Sequence, residues 1–139
     1  MSASITTFAL PQRSAGAIGR GRGVTFGGAQ VSTAGAKPKG IAHHAVTGAG
    51  QDLTLDVCGT TLVETGGAFA EGDSLAMDAQ GRTVAAAALA VASGATAVTS
   101  ASANGVAALV GGDPPTFVYA DALVGSTGAG LFVEVLLRR

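Results

Sequence analysis

Short runs of Val, Thr, Ile and Leu, each closed by a glycine or a pair of glycines, recur along the whole chain, while the Leu, Glu and Lys mixture of a surface helix is nearly absent. This punctuation leaves no long helical stretch and predicts an all-β fold. The segments that pair best are AIGRGRGVTF (17–26), GIAHHAVT (40–47), DLTLDVCGTTLVE (52–64), SLAMD (74–78), RTVAA (82–86), NGVAALV (104–110), TFVYADA (116–122) and LFVEVLLR (131–138). Short strands at this spacing suit a small β-barrel or a jelly-roll sandwich. Two turns are legible within it. Asp78-Ala79-Gln80-Gly81 offers a tight hairpin with Gly81 in the left-handed region, and Glu71-Gly72-Asp73 makes a second polar turn between a core-facing Phe69 and Leu75. The flanking strands are expected to bury Leu53, Leu55, Val57, Leu62, Leu75 and Met77.

At 139 residues the chain is long enough for one domain with a proper core. Only 12% of it is charged, against about a quarter in an average soluble protein, so much of the surface lacks ionic groups and is expected to lie against something. No run approaches the roughly 18 apolar residues of a membrane span, and Met1–Leu10 lacks the pattern of a secretory leader, so the sequence reads as soluble and made in the cytoplasm. The single cysteine, Cys58, forms no internal disulfide and no cysteine cage for a metal, and reads as a small buried hydrophobe.

Charge is distributed unevenly. Before residue 41 there are five basic residues (Arg13, Arg20, Arg22, Lys37, Lys39) and no acid, whereas all nine acids lie between Asp52 and Glu134. The sequence therefore divides into an extended basic N-terminal arm, residues 1–40, and an acidic body, residues 41–139. Such an arm suits an acidic protein surface, another copy of the chain or a different partner, better than nucleic acid. Within the body, Thr83–Gly112 carries no charge at all. It reads as an insertion at about 85–112, either folded over its own domain or, through Leu89, Val91, Val98 and Val106, in contact with another subunit. AAAALAVA (85–92) is the one place where two helical turns compete with a strand.

Candidate chemistries fail one by one. Gly16, Gly19, Gly21 and Gly23 fit neither the dinucleotide fingerprint nor a P-loop, since no Lys-Ser or Lys-Thr follows. Nucleic-acid binding calls for more cations and stacking rings than two arginines among glycines and the nearby Phe26. His43 and His44 occupy adjacent strand positions, so one is expected to face inward and the other outward, and they do not serve one metal or one proton relay. Glu71 and Asp73 look like solvated turn residues, and no serine lies in a nucleophile elbow. GGAFAEGDSLAMD resembles the entry hairpin of biotinyl and lipoyl carrier domains, but the tip, DAQGR, has no lysine to modify. The sequence predicts no enzyme, cofactor or metal site.

The order of features, GRGVTFGGAQVSTAGAKPKGIAHHAV, then LTLDVCGTTLVETGGAFAEGDSLAMDAQGRTVAAA, then the uncharged segment, then TFVYADALVGSTGAGLFVEVLLRR, resembles the small capsid cement (decoration) proteins of tailed bacteriophages. The similarity runs from about Ile18 onward. Its most specific pieces are GIA leading to G-T-x-x-V-E, the A-x-G-D-x-L-x-x-D-x-x-G-R hairpin and the VEVLLR end. The resemblance implies a β-barrel or jelly-roll body that binds the outer surface of an icosahedral shell and bridges adjacent major capsid proteins. It implies a place on the virion, a homo-oligomer with a dimer favoured over a trimer, and no membrane or direct nucleic-acid partner. In that role Ile5, Phe8, Leu10 and Pro11 form an apolar anchor, and Arg13, Arg20 and Arg22 reach carboxylates of the shell or of a neighbouring copy. A virion fibre or receptor-binding component is the alternative, followed by a nucleic-acid accessory protein.

Overall fold

The structure is a computed structural model that describes residues 4–87, 99–103, 106–110 and 116–138. Strands β1 (Thr6–Arg13), β2 (Gly23–Val24), β3 (Gly40–Ala42), β4 (Asp52–Glu64), β5 (Ser74–Met77), β6 (Thr83–Ala85), β9 (Ala120–Ala122) and β10 (Phe132–Leu137) form one antiparallel sheet. Its order is β2-β3-β4-β10-β9-β5-β6, with β1 also on β4, and it curls into a half-barrel. Strands β7 (Thr99–Ala103) and β8 (Val106–Val110) make a separate hairpin inside a second compact unit, Ala87–Thr116. No helix occurs among the described residues, in agreement with the all-β reading. Of the competing helical segment, Ala85 ends β6, and 88–92 lie outside the described residues, as do Leu89, Val91 and Val98. Val106 opens β8.

Strand β4 organises the sheet. Its first half pairs with β1 and β3, and its second half pairs with β10. The β1 ladder shifts register opposite Val57–Gly59, and Gly59 takes φ +94° where the Ile5 carbonyl packs against it. A bulge of this kind reverses which parity faces which side of a strand. Thr61 and Asp56, an odd number of positions apart, accordingly share a side, and the Thr61 hydroxyl donates to Asp56 Oδ2 at 2.6 Å. The reversal also explains why the strand serves two apolar clusters. Leu53, Leu55 and Val57 pack with Ile18, Val24, Ala42 and Val46, whereas Val63 packs with Val31, Ile41, Leu75, Met77, Tyr119 and Val135. Leu62, expected in the core, is only half buried, and Val63 takes the interior place. The other expected core residues, Phe69 included, are buried, whereas Cys58, read as a buried hydrophobe, is half buried beside the register shift. Tyr119 meets the Thr83 hydroxyl inside the second cluster, and burial pushes its phenol above the ordinary range.

Both legible turns have the expected chemistry. Gly81 and Gly72 adopt φ +74° and +86°. Asp78 Oδ1 accepts from the Gln80 and Arg82 amides, and Asp73 Oδ2 accepts from the Ala70 amide.

The first forty residues run within the sheet and its clusters. Thr6–Arg13 forms β1 on β4, and Ile18, Val24 and Val31 are buried. The segment between 14 and 40 is tied down by bonds in irregular order: Ile18 and Val46 exchange backbone bonds at 3.0 Å each, and the Val31 amide donates to the Gly23 carbonyl at 2.9 Å.

Candidate interaction surface

The glycine and arginine stretch that opens the chain spends its backbone donors internally. The Gly19 amide donates to Gln30 Oε1 at 3.0 Å, Gly21 to the Ala42 carbonyl at 2.9 Å and Gly23 to the Gly81 carbonyl at 2.8 Å. No row of free amides remains there to cradle a phosphate. The glycines let the backbone come close: at Gly21, φ +71°, an added Cβ would stand 2.9 Å from the Glu64 amide nitrogen and 3.0 Å from the Phe132 ring. The Glu64 amide in turn donates to the Gly21 carbonyl at 3.0 Å, which fixes the loop against β4.

Its two arginines have different fates. Arg22 closes a fork on Glu64, Nε to Oε2 at 2.8 Å and Nη2 to Oε1 at 3.0 Å, and Nη1 donates to the Gln80 carbonyl at 3.3 Å. These bonds to Glu64 raise the Arg22 pKa further, against the opposing pull of burial. Arg22 thus holds Glu64 within the chain, its side chain still 26% exposed. Arg20 remains exposed, with its guanidinium carbon 5.5 Å from the centroid of the Phe132 ring. Among the described arginines, Arg22, Arg82 and Arg138 are held by Glu64, Asp78 and Asp121, while Arg13 and Arg20 make no carboxylate pair. Arg13 Nε donates to the Gly50 carbonyl at 3.2 Å.

The expected apolar anchor lies along β1. Ile5 and Phe8 point large side chains into solvent, Pro11 is exposed, and Leu10 packs against the cluster around Leu55. The Ile5 backbone brackets Thr60 of β4: its amide donates to Thr60 Oγ1, and its carbonyl accepts from the Thr60 amide, both at 2.9 Å.

The histidines depart from expectation, since both are exposed. Ala42 to Thr47 leaves the sheet after β3, so strict alternation ends at Ala42. His43 Nδ1 stands 3.1 Å from Oδ2 of the buried Asp56, and His44 Nδ1 stands 3.3 Å from the Ala45 carbonyl. Ser4, Arg20, Ala42, His43, Asp56, Thr61 and Leu62 line a cavity of about 20 Å³. Among the described residues, no group of three or more His, Cys, Asp or Glu is arranged to hold a metal.

Beside this cavity lies a surface the sequence reading missed. The pairings Phe132↔Glu64, Glu134↔Leu62 and Leu136↔Thr60 set one outward row of side chains across β10 and β4, and Phe132 and Leu136 in that row are exposed. The signal was present in LFVEVLLR: Val133, Val135 and Leu137 alternate inward, which leaves two large apolar residues at positions where a solvated face would carry polar ones. Before the bulge the same side of β4 is covered by the Ile18, Val24 and Val46 cluster, and after it Leu62 stands half buried at the cavity rim.

No curated protein matches the chain. Its fold is similar to that of the N base of the head fiber gp8.5 in bacteriophage phi29, with a TM-score of 0.61 and 14% identity over 94% of this chain and 93% of that one, a likeness of fold. The sequence match is more specific, because the family described as phage cement protein covers residues 4–112, most of the chain, including the Arg20 loop, the cavity and the β4 bulge. With that match spanning most of its length, the chain belongs to the phage cement protein family.

Proposed function

We propose that the protein binds the outer surface of a phage icosahedral shell and stabilises it by bridging adjacent major capsid proteins. The observation that carries this reading is the family match over residues 4–112. The surface supports it physically. Ile5 and Phe8 offer apolar area at and just before β1, and Arg13 and Arg20 offer guanidinium groups that no carboxylate among the described residues holds. A structural family of this kind points away from catalysis. The bound form is a homo-oligomer, a dimer in preference to a trimer, in keeping with the symmetric positions of a shell, and the uncharged insertion at about 85–112 is a candidate for its subunit contact through Leu89, Val91, Val98 and Val106.

A second reading, a base for a fibre on the phage head, is favoured by the similarity of fold to the head-fiber base. Quantitative mass spectrometry of density-banded particles separates the two. A copy number near that of the major capsid protein supports cement, a few copies per particle support the fibre base, and absence from particles overturns both.

A further inference from the structure

We propose that this chain binds a second copy of itself through the Arg13 guanidinium of one copy and the Asp73 carboxylate of the other. The contact does not depend on the cement reading. It follows from a repeat within the fold.

Two stretches of the chain, 9–56 and 60–136, follow one hydrogen-bonding plan. The Ser14 amide donates to the Gln51 carbonyl at 2.9 Å, and the Thr65 amide donates to the Leu131 carbonyl at 2.8 Å. The Ser14 and Thr65 hydroxyls donate to the Gly48 and Gly128 carbonyls, each at 2.7 Å. The Gly21 amide donates to the Ala42 carbonyl at 2.9 Å, as the Gly72 amide does to that of Ala122 at 2.8 Å. The ladders agree in register, Arg13↔Asp52 to Ala9↔Asp56 in one stretch and Glu64↔Phe132 to Thr60↔Leu136 in the other. Strand β4 closes the first repeat and opens the second, and only the second carries Ala87–Thr116. Counterparts in the two repeats differ in charge: Arg13, Arg20 and Arg22 in the first match Glu64, Glu71 and Asp73 in the second.

The opening strand of the second repeat covers the first. Glu64 sets its amide on the Gly21 carbonyl at 3.0 Å and its carboxylate on Arg22. The second repeat has no such cover among the described residues. An added Cβ at Gly72 would meet no atom within 4 Å, Asp73 pairs with no cation, and Leu123 and Leu136, the counterparts of His43 and the buried Asp56, are exposed. The opening strand left over is β1, in which Arg13, the counterpart of Glu64, is exposed and makes no carboxylate pair. Set on the second repeat of another copy as Glu64 is set on the first, Arg13 meets Asp73 where Glu64 meets Arg22, with the two signs exchanged. The surfaces that stay unmatched at the two ends of one molecule therefore match between two. One term opposes the contact: Asp52, the counterpart of Phe132, comes near Glu71 in this arrangement, so the arginine lies among acids of both copies. Each copy gives one arginine and takes one.

Sedimentation of the isolated full chain tests the contact. The wild-type chain is expected to associate, and to do so less at higher salt. Arg13→Glu and Asp73→Arg are each expected to weaken association about tenfold or more, with the circular dichroism spectrum unchanged. An equimolar mixture of the two variants is expected to associate more tightly than either alone, because across each mixed contact the charges are opposite again. Asp73 also accepts from the Ala70 amide; should Asp73→Arg fail to fold for that reason, Arg13→Glu decides alone. A wild-type chain that stays monomeric, wild-type association in Arg13→Glu, or a mixture of folded variants no tighter than its parts overturns the contact and leaves the cement reading standing. A chain that associates as expected but does not bind shells overturns the cement reading and leaves the contact standing.

Discussion

Two neighbouring stretches of the first forty residues exchange the roles their compositions suggest. Thr6–Arg13 is strand, paired with β4 along most of its length, yet it buries no side chain: Phe8 is 56% exposed, and Ile5 just before it is 66% exposed. The glycine-rich run that follows has almost no regular structure, yet Ile18, Val24 and Val31 are 2%, 0% and 1% exposed. Backbone pairing and side-chain burial are separate quantities. A strand at a sheet edge satisfies its amides without covering its faces, while glycines let an irregular chain lie so close to a sheet that its few apolar residues are sealed.

The sharpest way to break this comparison is to truncate one residue from each side. Ile18→Ala is expected to destabilise the protein by about 2–5 kcal/mol in urea unfolding, as for a closed core position. If it proves no costlier than Phe8→Ala, the burial of the irregular segment has been misjudged. Next comes Gly21→Ala, which sets a side chain at positive φ and 2.9 Å from the Glu64 amide nitrogen. A loss of about 2–3 kcal/mol is expected, measured as a lower thermal midpoint; an unchanged midpoint would mean that the loop is free to lift off β4. Glu64→Ala removes the carboxylate from the Arg22 fork. It is expected to cost about 1–2 kcal/mol, toward the lower end because the Arg22 side chain is 26% exposed. The smallest effects belong to the edge strand: Ile5→Ala and Phe8→Ala are expected to change stability by less than about 0.5 kcal/mol while lowering the occupancy of the protein on shells. A fall in stability without a fall in occupancy would reverse the assignment of that strand.

Legibility follows the same division. The long β4, the Asp78–Gly81 hairpin and the inward alternation of β10 were readable because local rules, period two and turn chemistry, decide them. Strand β1 was not, since Thr6–Arg13 contains Pro11 and follows no inward and outward pattern; its partner, β4, lies far along the chain, from Arg13↔Asp52 to Thr6↔Gly59. The bulge was equally hidden. Nothing in DVCGTTLV announces that parity reverses near Gly59, yet this reversal sends Leu62 to the cavity rim and brings Thr61 to Asp56. The candidate surface was half legible. Arg20 stood out in the sequence, but its difference from Arg22 depends on Glu64, which only the folded sheet brings to one of the two.

The meeting of β1 and β10 on β4 has a practical consequence. Thr6 lies opposite Gly59, and Leu136 lies opposite Thr60, so the start of the first strand and the end of the last face consecutive positions at the middle of one strand. Peptides fused ahead of β1 and behind β10 would leave from neighbouring points of the sheet, and a short linker would bring the two strand ends together.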